Sequence, residues 1–493
     1  MRMVRCGVVL LVTAGAACGG GTAKPDGGGG AGGGGADGGD PNRWTGNVSA
    51  SINRNVDVLF LIDDSSSMRL LQDKLVQSFP AFITRLQDPP GLPNIHIAVV
   101  SQDMGAGDGS ISSCDGSHGK NGIFQYTARG TCTSTGLQTG ATFIADVGGT
   151  RNYTGNLADV FTCIAALGET GCGFEHQFSA ILRALGADGQ APPPENEGFL
   201  RPDAYLAIVM LTNEDDCSEL PGKPFFEVFT NNNVASQLGP PINFRCNEFG
   251  HLCDNGSGNK APPGRLAPNN DVNSMVSYAS CVSNETGQNL RTVADTASRI
   301  KALKADASQV AVMSIQGPTV PYTVTWKAPF ASEGDTSCGA PSCPWPAIAH
   351  SCAAADNSFA DPGIRTSEFV SAFGDNGLVL PICSDSLGPS MDRAAQLING
   401  LLGPPCIPGL VGMNPATGKP DCKVTERTRS ATGMTTTKTV PACADNGNVA
   451  PCWSLGAQSS TCLGTVLSVS VDPSLPASTE ASLTYDCAKD TTF

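Results

Sequence analysis

Histidine is scarce, with five in 493 residues, and the chain has no HExxH pair, no GxSxG turn and no Walker loop. Zinc proteolysis, serine hydrolysis and nucleotide binding therefore each lack their characteristic residues, and an enzyme is not expected. No two CxxC pairs occur either, which leaves the cysteines without the spacing of a structural zinc site. Positive charge is in short supply: 30 Lys and Arg face 45 Asp and Glu, giving a net charge of -15, and the basic residues form no dense run. Nucleic acid is thus no partner, and an anionic membrane surface is a poor one. What is present is 40% hydrophobic residues, enough for one large domain with insertions and a smaller one.

Arg2 and Arg5 precede the apolar run GVVLLVTAGAA and Cys18. Residues 1–18 read as a secretory signal, too short to span a bilayer. The small-small-Cys ending resembles the lipobox of bacterial lipoproteins, which implies lipidation of Cys18. Gly15 stands where that motif usually has Leu, and simple signal-peptidase cleavage is the alternative. Residue 19 is Gly rather than Asp, so the same resemblance gives no sign of inner-membrane retention. An exported lipoprotein of the outer membrane or cell surface of a Gram-negative bacterium is expected, touching membrane only through its lipid. Residues 19–49 are expected to form a Gly-rich flexible linker. Of 20 cysteines, 18 follow the leader, and an even count in an exported chain predicts disulfides. Proximity suggests Cys114 with Cys132 and Cys163 with Cys172, although sequence does not fix connectivity.

The run VDVLFLID, residues 56 to 63, is almost continuously apolar, as in a strand buried on both faces of a parallel sheet. Met68, Leu71, Leu75, Phe79, Phe82, Ile83 and Leu86 follow at helical spacing, with Ser67 placed to cap. Further strands are predicted at 95–101, 142–147, 205–211, 309–315 and 377–382, and helices around Leu157–Leu167, Phe178–Leu185, Leu290–Leu303 and Met391–Leu402. Pro381 restricts the last strand to a sheet edge or a strand end. Alternation of this kind predicts an α/β fold with a doubly wound, mostly parallel sheet over residues 50–402, carrying long insertions. From Gly403 the composition turns to Pro, Thr, Ser and six Cys, and residues 403–493 are expected to form a small disulfide-rich β domain.

Asp63, Ser65 and Ser67 form a DxSxS turn at the end of the first buried strand. One carboxylate and two hydroxyls at alternate positions can point the same way and offer three oxygens to a hard cation. Residues 56 to 68, VDVLFLIDDSSSM, resemble the opening of a von Willebrand factor type A domain with its metal-ion-dependent adhesion site. In that family a loop between two helices supplies a further ligand, usually Thr. Here the loop holds Thr170 at a shifted position and Glu175 at the expected one. The family's last ligand, an Asp after a later strand, falls on Asn213, with Asp215 close by. The resemblance implies Mg²⁺, with Mn²⁺ or Ca²⁺ as alternatives, and a partner protein or glycan that presents a carboxylate.

Blander roles exist for the same residues. DDSSS also suits a helix-capping turn, Glu175 a first-turn acid favoured by the helix dipole, and Glu214 to Asp216 a solvated loop. His176 reads as a surface residue, and His96 as packed within its strand. Two functions follow: cation-dependent adhesion at the cell surface, or a structural surface protein whose insertions make the contacts. A metal-assisted hydrolase using the acidic cluster is a distant third.

Overall fold

The computed structural model describes residues 40, 42–49, 53–87, 91–107, 111, 114, 119–228, 230–329, 334–402, 406–429, 435–456, 465–470 and 480–490. The leader, Cys18 and the Gly-rich stretch lie outside them. No helix among the described residues is long and apolar enough to cross a membrane.

The chain runs through β1 (Asn55–Ile62), α1 (Arg69–Leu86), β2 (Asn94–Ser101), β3 (Ile144–Val147), β4 (Thr150–Arg151), α2 (Leu157–Ala165) and α3 (Gln177–Ala184). It continues with β5 (Tyr205–Leu211), α4 (Val293–Lys301), β6 (Val310–Gln316), α5 (Ile364–Ser371), β7 (Gly377–Pro381) and α6 (Gly388–Leu402). These strands form one seven-stranded sheet in the order β7-β6-β5-β1-β2-β3-β4. The five from β7 to β2 are parallel, whereas β3 and β4 join antiparallel at one edge. Pro381 ends β7 on the other edge, where its missing N–H costs no ladder bond.

Successive side chains of a strand point to opposite faces, and β1 uses both. Val56, Val58, Phe60 and Ile62 pack with buried residues of α1, α2 and α6. Leu59 and Leu61 pack with those of α3, α4 and α5. Burial on both sides is why the strand reads as an unbroken apolar run. Phe60 sits at the centre of the first core, with Phe79 and Phe161 stacked 3.6 Å apart against it. Truncating one of these rings to alanine should cost about 3–5 kcal/mol.

Two expectations about chain organisation are corrected. Arg43–Ser49, placed at the end of the linker, is a strand that pairs antiparallel with Glu480–Ala488. The four-stranded sheet it edges also holds Cys422–Arg429 and Thr435–Val440, and its Val424, Val440 and Leu483 form a cluster with Ile407, Trp453 and Leu467 of a three-stranded sheet. The disulfides run Cys114–Cys172 and Cys132–Cys163, the reverse of the pairing that proximity suggests. The first staples the excursion after β2 to the α2–α3 loop, and the second staples the same excursion to α2.

Candidate functional site

In the sheet order β1 lies between β2 and β5, so the chain's forward path leaves β1 on one side and returns on the other. The crevice beyond the carboxyl ends at such a reversal is where open α/β sheets bind ligands. Asp63 stands there, its N–H donating to the Leu211 carbonyl at 3.0 Å, so the loops after β1 and β5 are neighbours.

The DxSxS turn is tightly organised. The Asp63 carboxylate is fully buried; Oδ1 accepts the Ser65 N–H at 2.9 Å, and Oδ2 accepts the Thr212 hydroxyl at 3.0 Å. Burial pushes its carboxyl up to about 6, only partly offset by the Ser65 donors, with Asp64 raising it further. Ser65 Oγ and Ser67 Oγ lie 3.5 Å apart, and Ser67 Oγ lies 3.0 Å from Asn213 Nδ2 and 3.3 Å from Asn213 Oδ1. The side chains of Ser65, Ser67 and Asn213 therefore meet beside a buried carboxylate. Ser67 caps nothing: α1 begins at Arg69 behind Met68, which makes no side-chain cap.

Asp64 turns the other way. Its carboxylate accepts the Ser101 hydroxyl at 2.6 Å and pairs with Lys120. The Gly171 N–H donates to the Asp64 carbonyl, and a Cβ at Gly171 would lie 2.3 Å from Asp64 Oδ1, so this position of the loop admits only glycine.

Thr170 is exposed, while Glu175 is 2% exposed and Glu175 Oε1 has no hydrogen-bond partner. Burial first, then the charges of Glu214, Asp63 and Asp361, hold the Glu175 carboxyl well above the usual range. Glu214 is raised in the same way, by burial and then by Asp361 and Asp63. Four carboxylates from four segments thus face one another at the end of the sheet, and mutual repulsion of this kind is relieved by a proton or a cation.

Asp215 is placed elsewhere. Its Oδ2 accepts from His251 Nε2 at 2.9 Å and from the N–H groups of Ile364 and Arg365 at 2.7 Å, and its Oδ1 accepts from Thr366. Burial raises its carboxyl, but His251 and these backbone donors outweigh it and hold it below the usual range. Asp216 is likewise buried, ion-paired with Arg365 at 3.0 Å. The acidic run after β5 is accordingly an interior brace, not a solvated loop. His176 is also interior, 2% exposed, with its ring lowered to about 4 by burial. His96 is packed as expected, its Nδ1 2.9 Å from the Phe199 carbonyl.

Sequence reading missed Gln102 and Asp361. Gln102 Nε2 donates to Asp63 Oδ1 at 3.3 Å and to the Cys172 carbonyl at 3.0 Å, while its Oε1 accepts the His176 N–H. One side chain thereby ties the DxSxS turn to the loop carrying Glu175; its only sequence signal was a polar residue just past a buried strand. Asp361 arrives from the segment between β6 and α5, its N–H bonded to the Asn213 carbonyl at 2.8 Å, and nothing local in the sequence marked it.

No protein-family profile matches the sequence, and no curated protein is similar to it. Solved structures with some likeness include the pilus adhesin SpaC from Lactobacillus rhamnosus GG in its open conformation, at 13% identity and a TM-score of 0.27 over 92% of this chain and 42% of that one. A von Willebrand factor type A protein from Catenulispora acidiphila matches at 10% identity and 0.28, covering 91% of this chain and 62% of that one. The vWF domain of the type V pili tip protein Mfa5 from Porphyromonas gingivalis matches at 12% and 0.27, covering 72% of this chain and 96% of that domain. This chain spans less than half the length of SpaC. Likeness at this level establishes no family, and the architecture rests on strand order and the two cores.

Proposed function

We propose that this chain is a cell-surface binding protein built on a doubly wound, von Willebrand factor type A-like domain, which recognises a partner through a divalent cation. The observation that carries the reading is the meeting of Ser65, Ser67 and Asn213 beside buried Asp63 at the sheet's carboxyl edge. An all-oxygen set with few charges suits Mg²⁺ better than a full Ca²⁺ cage. Ser65, Ser67 and Asn213 would hold the ion, with Asp63 and Glu175 supplying negative charge nearby. When bound, the ion supplies a positive centre that attracts a carboxylate on a protein or glycan. The residues around it do the rest: Gln102 and Thr212 fix the Asp63 carboxylate, and the Cys114–Cys172 bond fixes the loop that carries Glu175. Attachment through lipidated Cys18 belongs to the same proposal, and Cys18→Ser should then release the protein from the membrane fraction.

Calorimetry of Mg²⁺, Mn²⁺ and Ca²⁺ binding to wild type, Asp63→Ala and the Ser65→Ala/Ser67→Ala double variant is the test. Wild type should bind at least one ion at millimolar concentration and both variants should lose it. A wild type that binds none, or an Asp63→Ala chain that binds equally well, removes the site. A pull-down of surface partners with and without EDTA then separates cation-dependent recognition from a purely structural role.

A further inference from the structure

Beside the serine cluster opens a groove of about 490 Å³, within the size range of small ligand sites. Phe244, Trp345, Ile348 and Phe359 line it with apolar surface, while Glu214 and Asp361 place two carboxylates in the same lining. A narrow cleft behind shares Glu214, Asn243, Asn247 and Asp361 with the groove and adds Glu175. Glu175 is 2% exposed and Oε1 has no hydrogen-bond partner. The wall is therefore apolar, its polar end is acidic, and a buried acceptor there lacks a donor.

We propose that this groove takes an arginine side chain of a partner polypeptide. Three methylenes can lie along apolar walls while the charged head reaches polar groups. A guanidinium offers five N–H donors in a planar fork, matched to carboxylates, and it stacks favourably on aromatic rings. The partners within the groove are partly committed already. Asp361 Oδ1 accepts from His350 Nδ1 at 2.7 Å, and Asn243 Nδ2 donates to Glu214 Oε2. Glu214 also meets the Glu175 side chain, and an oxygen that already takes one hydrogen bond has a second lone pair, so Glu214 and Asp361 keep acceptor capacity for the fork. Lys327 also belongs to the lining, but it is exposed and its flexible stem lets the ammonium turn to solvent. The chain's net charge of -15 favours approach of a basic partner.

This site stands beside the proposed cation centre and does not require it. Binding of a capped Gly-Gly-Arg-Gly-Gly peptide to the full chain, followed by calorimetry in EDTA, tests it against the citrulline and glutamate versions of the same peptide. Citrulline keeps the shape and removes the charge, so it should bind about tenfold weaker or worse, and glutamate should not bind. Glu214→Gln/Asp361→Asn should lose the preference for arginine over citrulline. Ser65→Ala/Ser67→Ala should keep it, which separates failure of this site from failure of the cation centre. Equal affinity for arginine and citrulline, or no binding of the arginine peptide at millimolar concentration, overturns the proposal without reliance on any protein variant.

Discussion

Asp215 Oδ2 lies 2.9 Å from His251 Nε2, and His251 Nδ1 lies 2.8 Å from the Tyr322 hydroxyl. Both ends of this chain of contacts are buried, and the same carboxylate receives the first N–H groups of α5. It is a brace joining the loop after β5, the strands His251–Asp254 and Tyr322–Lys327 of two small sheets, and α5. Removing one partner from a buried, charged network leaves the others unsatisfied, at about 3–5 kcal/mol. Asp215→Ala should therefore lower the unfolding free energy in urea by about that amount, while the folded fraction keeps its Mg²⁺ affinity. A chain of wild-type stability that no longer binds Mg²⁺ would put Asp215 at the cation instead.

Glu175 separates metal affinity from partner affinity. A second negative charge beside a cation tightens the ion but weakens its pull on an acidic ligand. Glu175→Thr should weaken Mg²⁺ binding in calorimetry, on the order of tenfold given the charge removed, yet leave or strengthen capture of a carboxylate-bearing partner at saturating Mg²⁺. Loss of both would assign Glu175 to the partner contact itself.

How far the sequence carries depends on whether the cause of a feature is local. The β1 strand, the amphipathic α1 and the DxSxS turn were legible because burial on two faces, helical period and oxygen spacing are written in consecutive residues. Pro381 likewise announced its edge. Asp361 was not legible, since it meets Asn213 across more than a hundred residues of chain. The acidic run at 214–216 misled because its partners His251 and Arg365 are remote, and without them three acids look like solvent-facing loop. The Cys114–Cys172 and Cys132–Cys163 pairing depends on how the excursion after β2 folds back, which spacing does not encode.

The strand Arg43–Ser49 gives the sequence-based boundary a direct check. It pairs over its full length with Glu480–Ala488, from Arg43 opposite Ala488 to Ser49 opposite Ser482, and Lys489 Nζ sits 4.4 Å from the centre of the Trp44 ring. A chain beginning at residue 50 would leave the backbone groups of Ser482–Ala488 unpaired along one edge. Limited proteolysis should then cut faster within residues 406–490 than in the longer chain, with the seven-stranded sheet unaffected. Equal cleavage rates would return residues 43–49 to the role of a tether.

Asp63 also sets a pH dependence that can be read without any partner. Burial raises its carboxyl from an ordinary value of 3.8 to about 6 in the folded chain. The folded state then holds a proton that the unfolded chain has already released. Stability from this group is full below about pH 4 and is lost as pH rises through 6, on the order of 2–3 kcal/mol. Glu175 and Glu214, also raised, extend the loss to higher pH. Two buried histidines act in the opposite sense. His96 and His176 are lowered to about 4, so the stability of their neutral forms is present above about 6.5 and lost as pH falls toward 4. The wild-type curve alone mixes both trends, and the informative quantity is its difference from Asp63→Asn, which cannot ionise. In EDTA, urea midpoints from pH 4 to 7 should show wild type losing ground to Asp63→Asn as pH rises. Millimolar Mg²⁺ should restore wild type but not the variant, because a bound cation stabilises only a chain that can hold it. A wild-type chain that stays level with Asp63→Asn across this range would show that Asp63 titrates as an ordinary carboxylate. Its negative charge beside Ser65 and Ser67 would then be present throughout this range, and Mg²⁺ affinity should not fall as pH drops from 7 to 5.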